Sequence, residues 1–161
     1  MSIAIYPGSF DPITYGHIDI VERATQIFQT VIVVFADNSQ KKPFFTIEDR
    51  MAMARECFAG NSQIKVIRYS GLIVNCLAEY GATVIIRGLR AISDFEYEFQ
   101  MAFTNKSMNK QAETVFLMAS ARYTYLNSTM VKQIASLGGD VSKFVPGNVQ
   151  QQLAARIVTV P

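Results

Sequence analysis

Four stretches of the chain combine cations, hydroxyl groups and glycines in ways that suit the handling of phosphate. The first is Pro7-Gly8-Ser9-Phe10-Asp11-Pro12, followed by Thr14-Tyr15-Gly16-His17, which holds the only histidine. Gly8 lets a ligand approach the backbone, and Pro12 stiffens the turn. A helix starting near Gly16 offers unpaired amides and a dipole that favours an anion. A histidine placed there can donate to a phosphate oxygen, or it can satisfy local backbone. The second stretch is Arg87-Gly88-Leu89-Arg90, directly after the apolar run Thr83–Ile86. Arginine suits bidentate phosphate contact better than lysine does. The plainer outcome for this pair is an ion pair with Asp94, Glu96 or Glu98 downstream. Lys41-Lys42 is the third stretch, although a lysine pair in a loop is usually just solvated. The fourth runs from Ser120 through Arg122-Tyr123-Thr124-Tyr125-Leu126-Asn127-Ser128-Thr129.

Other chemistries are excluded by what the chain lacks. Its nine glycines form no GxG pair, so the dinucleotide fingerprint is missing. There is no GxxxxGK[ST] loop and no GxSxG elbow. One histidine rules out a multi-histidine zinc site. Cys57 and Cys76 form no CxxC and read as small buried hydrophobes in a reducing compartment.

To act together, the four stretches must meet. Five β-rich runs recur: Ile3–Tyr6, Val31–Ala36, Ile64–Ile67, Thr83–Ile86 and Thr114–Ala119. Most are nearly continuous in apolar residues, as in parallel strands buried on both faces. Helical patterns lie between them. Ile18, Val21, Thr25 and Phe28 keep helical spacing, and Thr46-Ile-Glu-Asp49 opens a helix with a capping-box-like start. Leu72–Tyr80 stops at Gly81, and Asp94–Asn109 mixes aromatic and acidic residues. This alternation predicts right-handed βαβ crossovers. Ser128 is the expected cap of Thr129–Leu137, which Gly138-Gly139 ends, and Val149–Val158 is a last amphipathic stretch. The expected architecture is α/β: a single doubly wound, Rossmann-like domain over residues 1–161, with a five-stranded parallel sheet and a helical C-terminal tail. Such sheets bind ligands beyond the carboxyl ends of their strands, where the four stretches fall.

Composition bounds the partners. Of 161 residues, 50% are hydrophobic and 17% charged, which excludes disorder. The longest tight apolar run, Val31–Ala36, is far short of the ~20 residues of a membrane helix. MSIAIYPG has no basic flank before an apolar stretch, so a cytoplasmic protein without membrane contact is expected. A net charge of +2 without a basic stripe argues against nucleic acid. The apolar surplus points to an oligomer.

Tyr6–Pro12 with Thr14–His17 resembles the opening of the phosphopantetheine adenylyltransferase family, nucleotidyltransferases of coenzyme A biosynthesis. The resemblance continues at Lys41-Lys42-Pro43, Ile86–Arg90 and Asp94–Glu98, and ends at Asn127-Ser128-Thr129-Met130-Val131-Lys132. It covers the chain from Ile5 to about Val149. It implies a reaction of ATP with 4′-phosphopantetheine that gives dephospho-coenzyme A and pyrophosphate. By the same resemblance, Ser9 and Phe10 lie at the triphosphate, with Ser9 also near the pantetheine phosphate. His17, Lys41 and Arg90 are the implied catalytic residues. His17 stabilises the transition state at the nucleotide, and Lys41 contacts the incoming phosphate. Ile73 lines the pantetheine arm and Arg87 holds the phosphopantetheine side. Gly88, Leu89, Arg90 and Glu98 hold ATP, which Tyr123, Thr124, Tyr125, Leu126, Asn127, Ser128 and Thr129 wrap. Mg²⁺ is the implied cofactor, held by substrate phosphates and water without a protein ligand. A homohexamer is implied as well. Asn127 stands where the family usually has Ser or Thr, and Gly71 and Ile73 replace bulkier or acidic neighbours of some relatives.

These residues suit such a reaction. A phosphate monoester is mostly dianionic near neutrality (second pKa about 6) and needs no protein base. Catalysis then reduces to positioning and charge stabilisation at the α-phosphate. The alternatives are a nucleotidyltransferase with a nicotinate mononucleotide or glycerol phosphate acceptor, and a non-catalytic ATP-binding module. The acceptor pocket near Ile73, Arg87, Met101 and Asn105 discriminates among the enzymes.

Overall fold

The computed structural model describes residues 2–37, 42–90 and 92–158. Its strands are β1 (Ile3–Gly8), β2 (Thr30–Ala36), β3 (Ile64–Tyr69), β4 (Val84–Leu89) and β5 (Glu113–Met118). They form one parallel sheet in the order β3-β2-β1-β4-β5. The helices are α1 (Tyr15–Thr25), α2 (Ile47–Cys57), α3 (Ile73–Glu79), α4 (Ile92–Met108), α5 (Ser128–Ser136) and α6 (Gly147–Val158), with a 3₁₀ turn at Ala121–Tyr123.

The apolar runs are long because the sheet is covered on both faces. Side chains alternate along a strand. Ala4 and Tyr6 of β1 and Val31, Val33 and Phe35 of β2 therefore enter one core, together with Ile20 and Val21 of α1, Met51 and Ala54 of α2, Val131 of α5 and Leu153 of α6. Ile5, Ile32, Val34 and Ile85 enter the other, against Val74, Cys76 and Leu77 of α3. The chain starts at the centre, winds out through β2 to β3, and returns through α3 to β4 on the far side of β1. That reversal is the switch point at which such sheets open a ligand crevice.

Here the opening is visible in the register. β1 pairs with β2 over six positions, from Ile3↔Thr30 to Gly8↔Phe35. Against β4 it pairs only at Ala4↔Val84 and Ile5↔Ile85, although both strands continue to Gly8 and Leu89. Past Ile5 the two central strands part.

The sequence places most element boundaries within two residues, and the differences have local causes. β1 runs on to Gly8 instead of ending at Tyr6, because β2 continues to pair with it. Arg87, Gly88 and Leu89 belong to β4 rather than to a loop after it, because β5 pairs with them. Asn127, not Ser128, caps α5: its side chain accepts from the Met130 amide at 2.8 Å. The Ser128 hydroxyl instead donates to the Pro12 carbonyl at 2.7 Å. Thr46 caps α2 as expected, accepting from the Asp49 amide. Gly81, with φ +62°, ends α3 in the left-handed conformation that suits glycine.

Phe35 is fully buried at the carboxyl end of β2 and packs on Phe10 at 4.9 Å between ring centroids. Phe35→Ala is expected to cost about 3–5 kcal/mol through lost transfer energy and an unfilled cavity. Urea unfolding should show a lowered midpoint with little change in slope.

Candidate active site

Two adjoining clefts, of about 580 and 1310 Å³, lie at the carboxyl ends of the parted strands. The first is lined by the β1 end, the start of α1, Gly88 and Arg90, and Tyr123, Leu126, Asn127, Ser128 and Thr129. Lys42, Pro43, Ile73, Met101, Asn105 and Lys132 line the second. Pro7, Gly8, Ser9, Arg87, Tyr97, Glu98, Ser128 and Thr129 belong to both, so the clefts share a wall.

His17 lines the first cleft and is the third residue of α1. Its ring completes a capping box. The Thr14 hydroxyl accepts from the His17 amide, and the Thr14 amide donates to His17 Nδ1 at 3.1 Å. An amide can only donate, so Nδ1 must accept, and the ring carries its proton on Nε2. Burial lowers the His17 pKa from 6.5 to about 4, and Arg90 and Arg87 push it the same way. That disfavours the charged form by roughly 3 kcal/mol. His17 is therefore a neutral donor at physiological pH.

The cations of the first cleft are held by internal carboxylates. Arg87 donates from Nε to Glu98 at 2.7 Å and from a terminal nitrogen at 2.5 Å, a bidentate pair. Its other terminal nitrogen donates to the Pro7 carbonyl at 2.7 Å, bridging β4 to β1 where their pairing has ceased. Burial opposes the Arg87 charge, but the Glu98 hydrogen bonds outweigh this and raise its pKa. Arg90 pairs with Asp94 at 3.3 Å and donates to the Leu126 carbonyl at 3.4 Å. Burial pushes the Tyr6 phenol up to about 12, against the nearby arginines, so it stays protonated.

Asp11 ties one wall of the second cleft together. Its carboxylate accepts from the amides of Phe44 and Phe45 at 2.7 and 2.9 Å and pairs with Lys132 at 3.3 Å. Arg50, 6% exposed, donates to the Ser9 carbonyl at 2.7 Å. Beside the first cleft, the Asp19 carboxylate accepts from the Ser120 hydroxyl at 2.6 Å and fixes the start of the segment that follows β5.

The cytidylyltransferase-like family matches residues 5–134. The phosphopantetheine adenylyltransferase of Heliobacterium modesticaldum is 51% identical over 97% of this chain and 93% of its own length. That of Geotalea daltonii is 48% identical over 97% of both chains. This chain belongs to the phosphopantetheine adenylyltransferase family. A crystal structure from Vibrio parahaemolyticus, provisionally assigned as a nicotinate-nucleotide adenylyltransferase, superposes with a TM-score of 0.71. It covers 100% of this chain and 98% of its own at 16% identity, which shows a shared fold.

Most residues that the family resemblance implies come together. Ser9, Arg87, Glu98, Ser128 and Thr129 line both clefts. Phe10, His17, Gly88, Arg90, Tyr123, Leu126 and Asn127 line the first, and Ile73 lines the second. Lys41 lies outside the described residues, whereas Lys42 lines the second cleft. Leu89, Thr124 and Tyr125 line neither cleft. The Leu89 side chain is buried, the Thr124 hydroxyl donates to the Ala121 carbonyl, and the Tyr125 ring rests edge-on against Phe144. The arginine pair forms the downstream ion pairs, Arg87 with Glu98 and Arg90 with Asp94, while both side chains line the first cleft. Sequence reasoning missed Asp11, Arg50, Lys132 and the role of Thr14. Only Thr14 left a local signal, the three-residue spacing to His17.

The tautomer argument gives a titration outcome. The folded pKa of His17 lies below the ordinary 6.5, so the unfolded chain takes up this proton first as pH falls. The stability it contributes is full above about pH 6.5 and is lost as pH drops through 4. Nitrogen chemical shifts should show a neutral ring, protonated on Nε2, at pH 5.5. An imidazolium at that pH would contradict the assignment.

Proposed function

We propose that this chain transfers the adenylyl group of ATP to 4′-phosphopantetheine, giving dephospho-coenzyme A and pyrophosphate. Membership of the family supports the reaction. The observation that carries it is the wall shared by the two clefts. A nucleotide in the first cleft and a phosphorylated arm in the second would meet at Ser9 and Arg87. That is the arrangement an in-line displacement requires.

The acceptor phosphate attacks the α-phosphorus of ATP, and pyrophosphate leaves from the opposite side. No base is needed and no covalent enzyme intermediate forms. His17 Nε2–H donates to the α-phosphate as charge builds there, and its neutrality keeps that proton in place at physiological pH. Arg90 supplies fixed positive charge on the nucleotide side, and the Lys41 ammonium contacts the incoming phosphate. The amides of the first turn of α1, at Gly16, add the positive end of a helix dipole. Tyr123, Leu126, Asn127, Ser128 and Thr129 wrap the nucleotide, and the second cleft with Ile73 and Met101 takes the arm.

Mg²⁺ belongs to the proposal as a cation bound through substrate phosphate oxygens and water, which is its usual habit. Among the described residues no group of three ligating side chains gathers, so the donor set suits this mode rather than a protein cage. Its charge would offset that of the triphosphate and the leaving pyrophosphate.

A homohexamer in the cytoplasm completes the reading. Among the described residues, no helix is long and apolar enough to cross a membrane. α4 exposes Phe95, Phe99 and Phe103, the last at 62%, a contiguous row of aromatic surface that suits burial against other copies.

Pyrophosphate release should require ATP and 4′-phosphopantetheine together. Release with nicotinate mononucleotide or glycerol 3-phosphate instead would move the acceptor assignment, and release with none would leave an ATP-binding module. Sedimentation velocity at micromolar concentration should give a species near six times the 18.0 kDa chain; a monomer would remove the hexamer.

A further inference from the structure

Phe10 sits in the loop that leaves β1, yet it is only 2% exposed. Its backbone is left-handed, with φ +44°, the only non-glycine residue of that kind among those described. A phenylalanine holds such a conformation only where its surroundings force it. The forcing contact is visible. The ring folds back over its own loop so that Cζ occupies the space beside Gly8; a Cβ added to Gly8 would lie 2.7 Å from it. The ring then meets three others: Tyr6 at 5.3 Å, Phe35 at 4.9 Å and His17 at 5.1 Å between centroids. Its plane stands at 83° to the His17 ring, the edge-to-face arrangement that aromatic pairs favour.

Thr14 fixes one nitrogen of His17 but cannot stop the ring from tilting about that hydrogen bond. The Phe10 ring supplies the second constraint. We propose that Phe10 is a positioning residue for adenylyl transfer: its ring, admitted by the bare backbone of Gly8, holds the His17 imidazole so that Nε2–H faces the first cleft. This rests on the reaction proposed above. The main-chain amide of Phe10 is a separate matter, because changing the side chain leaves it in place. Gly8 acquires a definite role: it makes room for the Phe10 ring as well as for a ligand.

The test is a double-mutant cycle between Phe10→Leu and His17→Ala, with Phe10→Met as the alternative if the leucine variant does not fold. Phe10→Leu should lower kcat by about 10-fold or more, the scale of a small misplacement at a reacting centre, with the KM for ATP within about 3-fold. In the His17→Ala background it should change the residual rate by less than about 2-fold, since its effect passes through the imidazole. In ligand-free protein, Phe10→Leu and Gly8→Ala should both shift the His17 ring nitrogen resonances. Equal losses in the two backgrounds would overturn the proposal, as would an unchanged kcat or unmoved His17 resonances. If the wild-type protein shows no adenylyl transfer, the proposed reaction fails, while the resonance experiment still decides whether Phe10 holds the ring.

Discussion

The parting of β1 from β4 beyond Ile5 and Ile85 is the constraint on which the rest of the site depends. Two central strands that stay paired would leave no crevice; two that never paired would leave no sheet. The chain pairs them for two positions and then lets them diverge around the Tyr6 and Ile20 side chains, which lie beside Gly88. Backbone groups freed in this way would be costly if buried without partners. Arg87 meets part of that need by donating across the gap to the Pro7 carbonyl. One arginine thus closes the base of the crevice, carries charge into its wall, and binds Glu98 from α4.

This arrangement settles an electrostatic conflict. A site for two polyanions needs concentrated positive charge, but unpaired cations at close range repel each other and weaken the fold when no ligand is present. Here three of the cations that line the clefts have internal anionic partners: Arg87 with Glu98, Arg90 with Asp94, and Lys132 with Asp11. Substrate phosphates would compete for these cations with carboxylates already in place. His17 follows from the same field. Burial and the two arginines remove its charge, which leaves a donor that adds direction without adding repulsion.

How much of this was legible in the sequence depends on distance along the chain. The five strands and the helices between them could be read from apolar runs and helical spacing, because both cores draw on neighbouring residues of each strand. The site segments could be read because a parallel sheet delivers strand exits to one edge. Boundaries set by a partner strand could not: Gly8 and Leu89 extend their strands only because β2 and β5 lie alongside. Side chains working across long separations were equally hidden. Asp11 meets Phe44, Phe45 and Lys132, and Arg50 meets Ser9, with nothing in local spacing to announce it. By sequence the capping-box pattern stands at Thr46, where an acidic residue follows at the usual interval. The observed box lies at Thr14, where the reciprocal acceptor is an imidazole.

The wall common to both clefts bears on what happens once the reaction is over. Reactants that arrive separately would leave as pyrophosphate and one long conjugate spanning both clefts. With its two halves covalently tethered, each half raises the effective concentration of the other at its own cleft, so a partial detachment is readily reversed. Departure of that conjugate then demands that both clefts let go together.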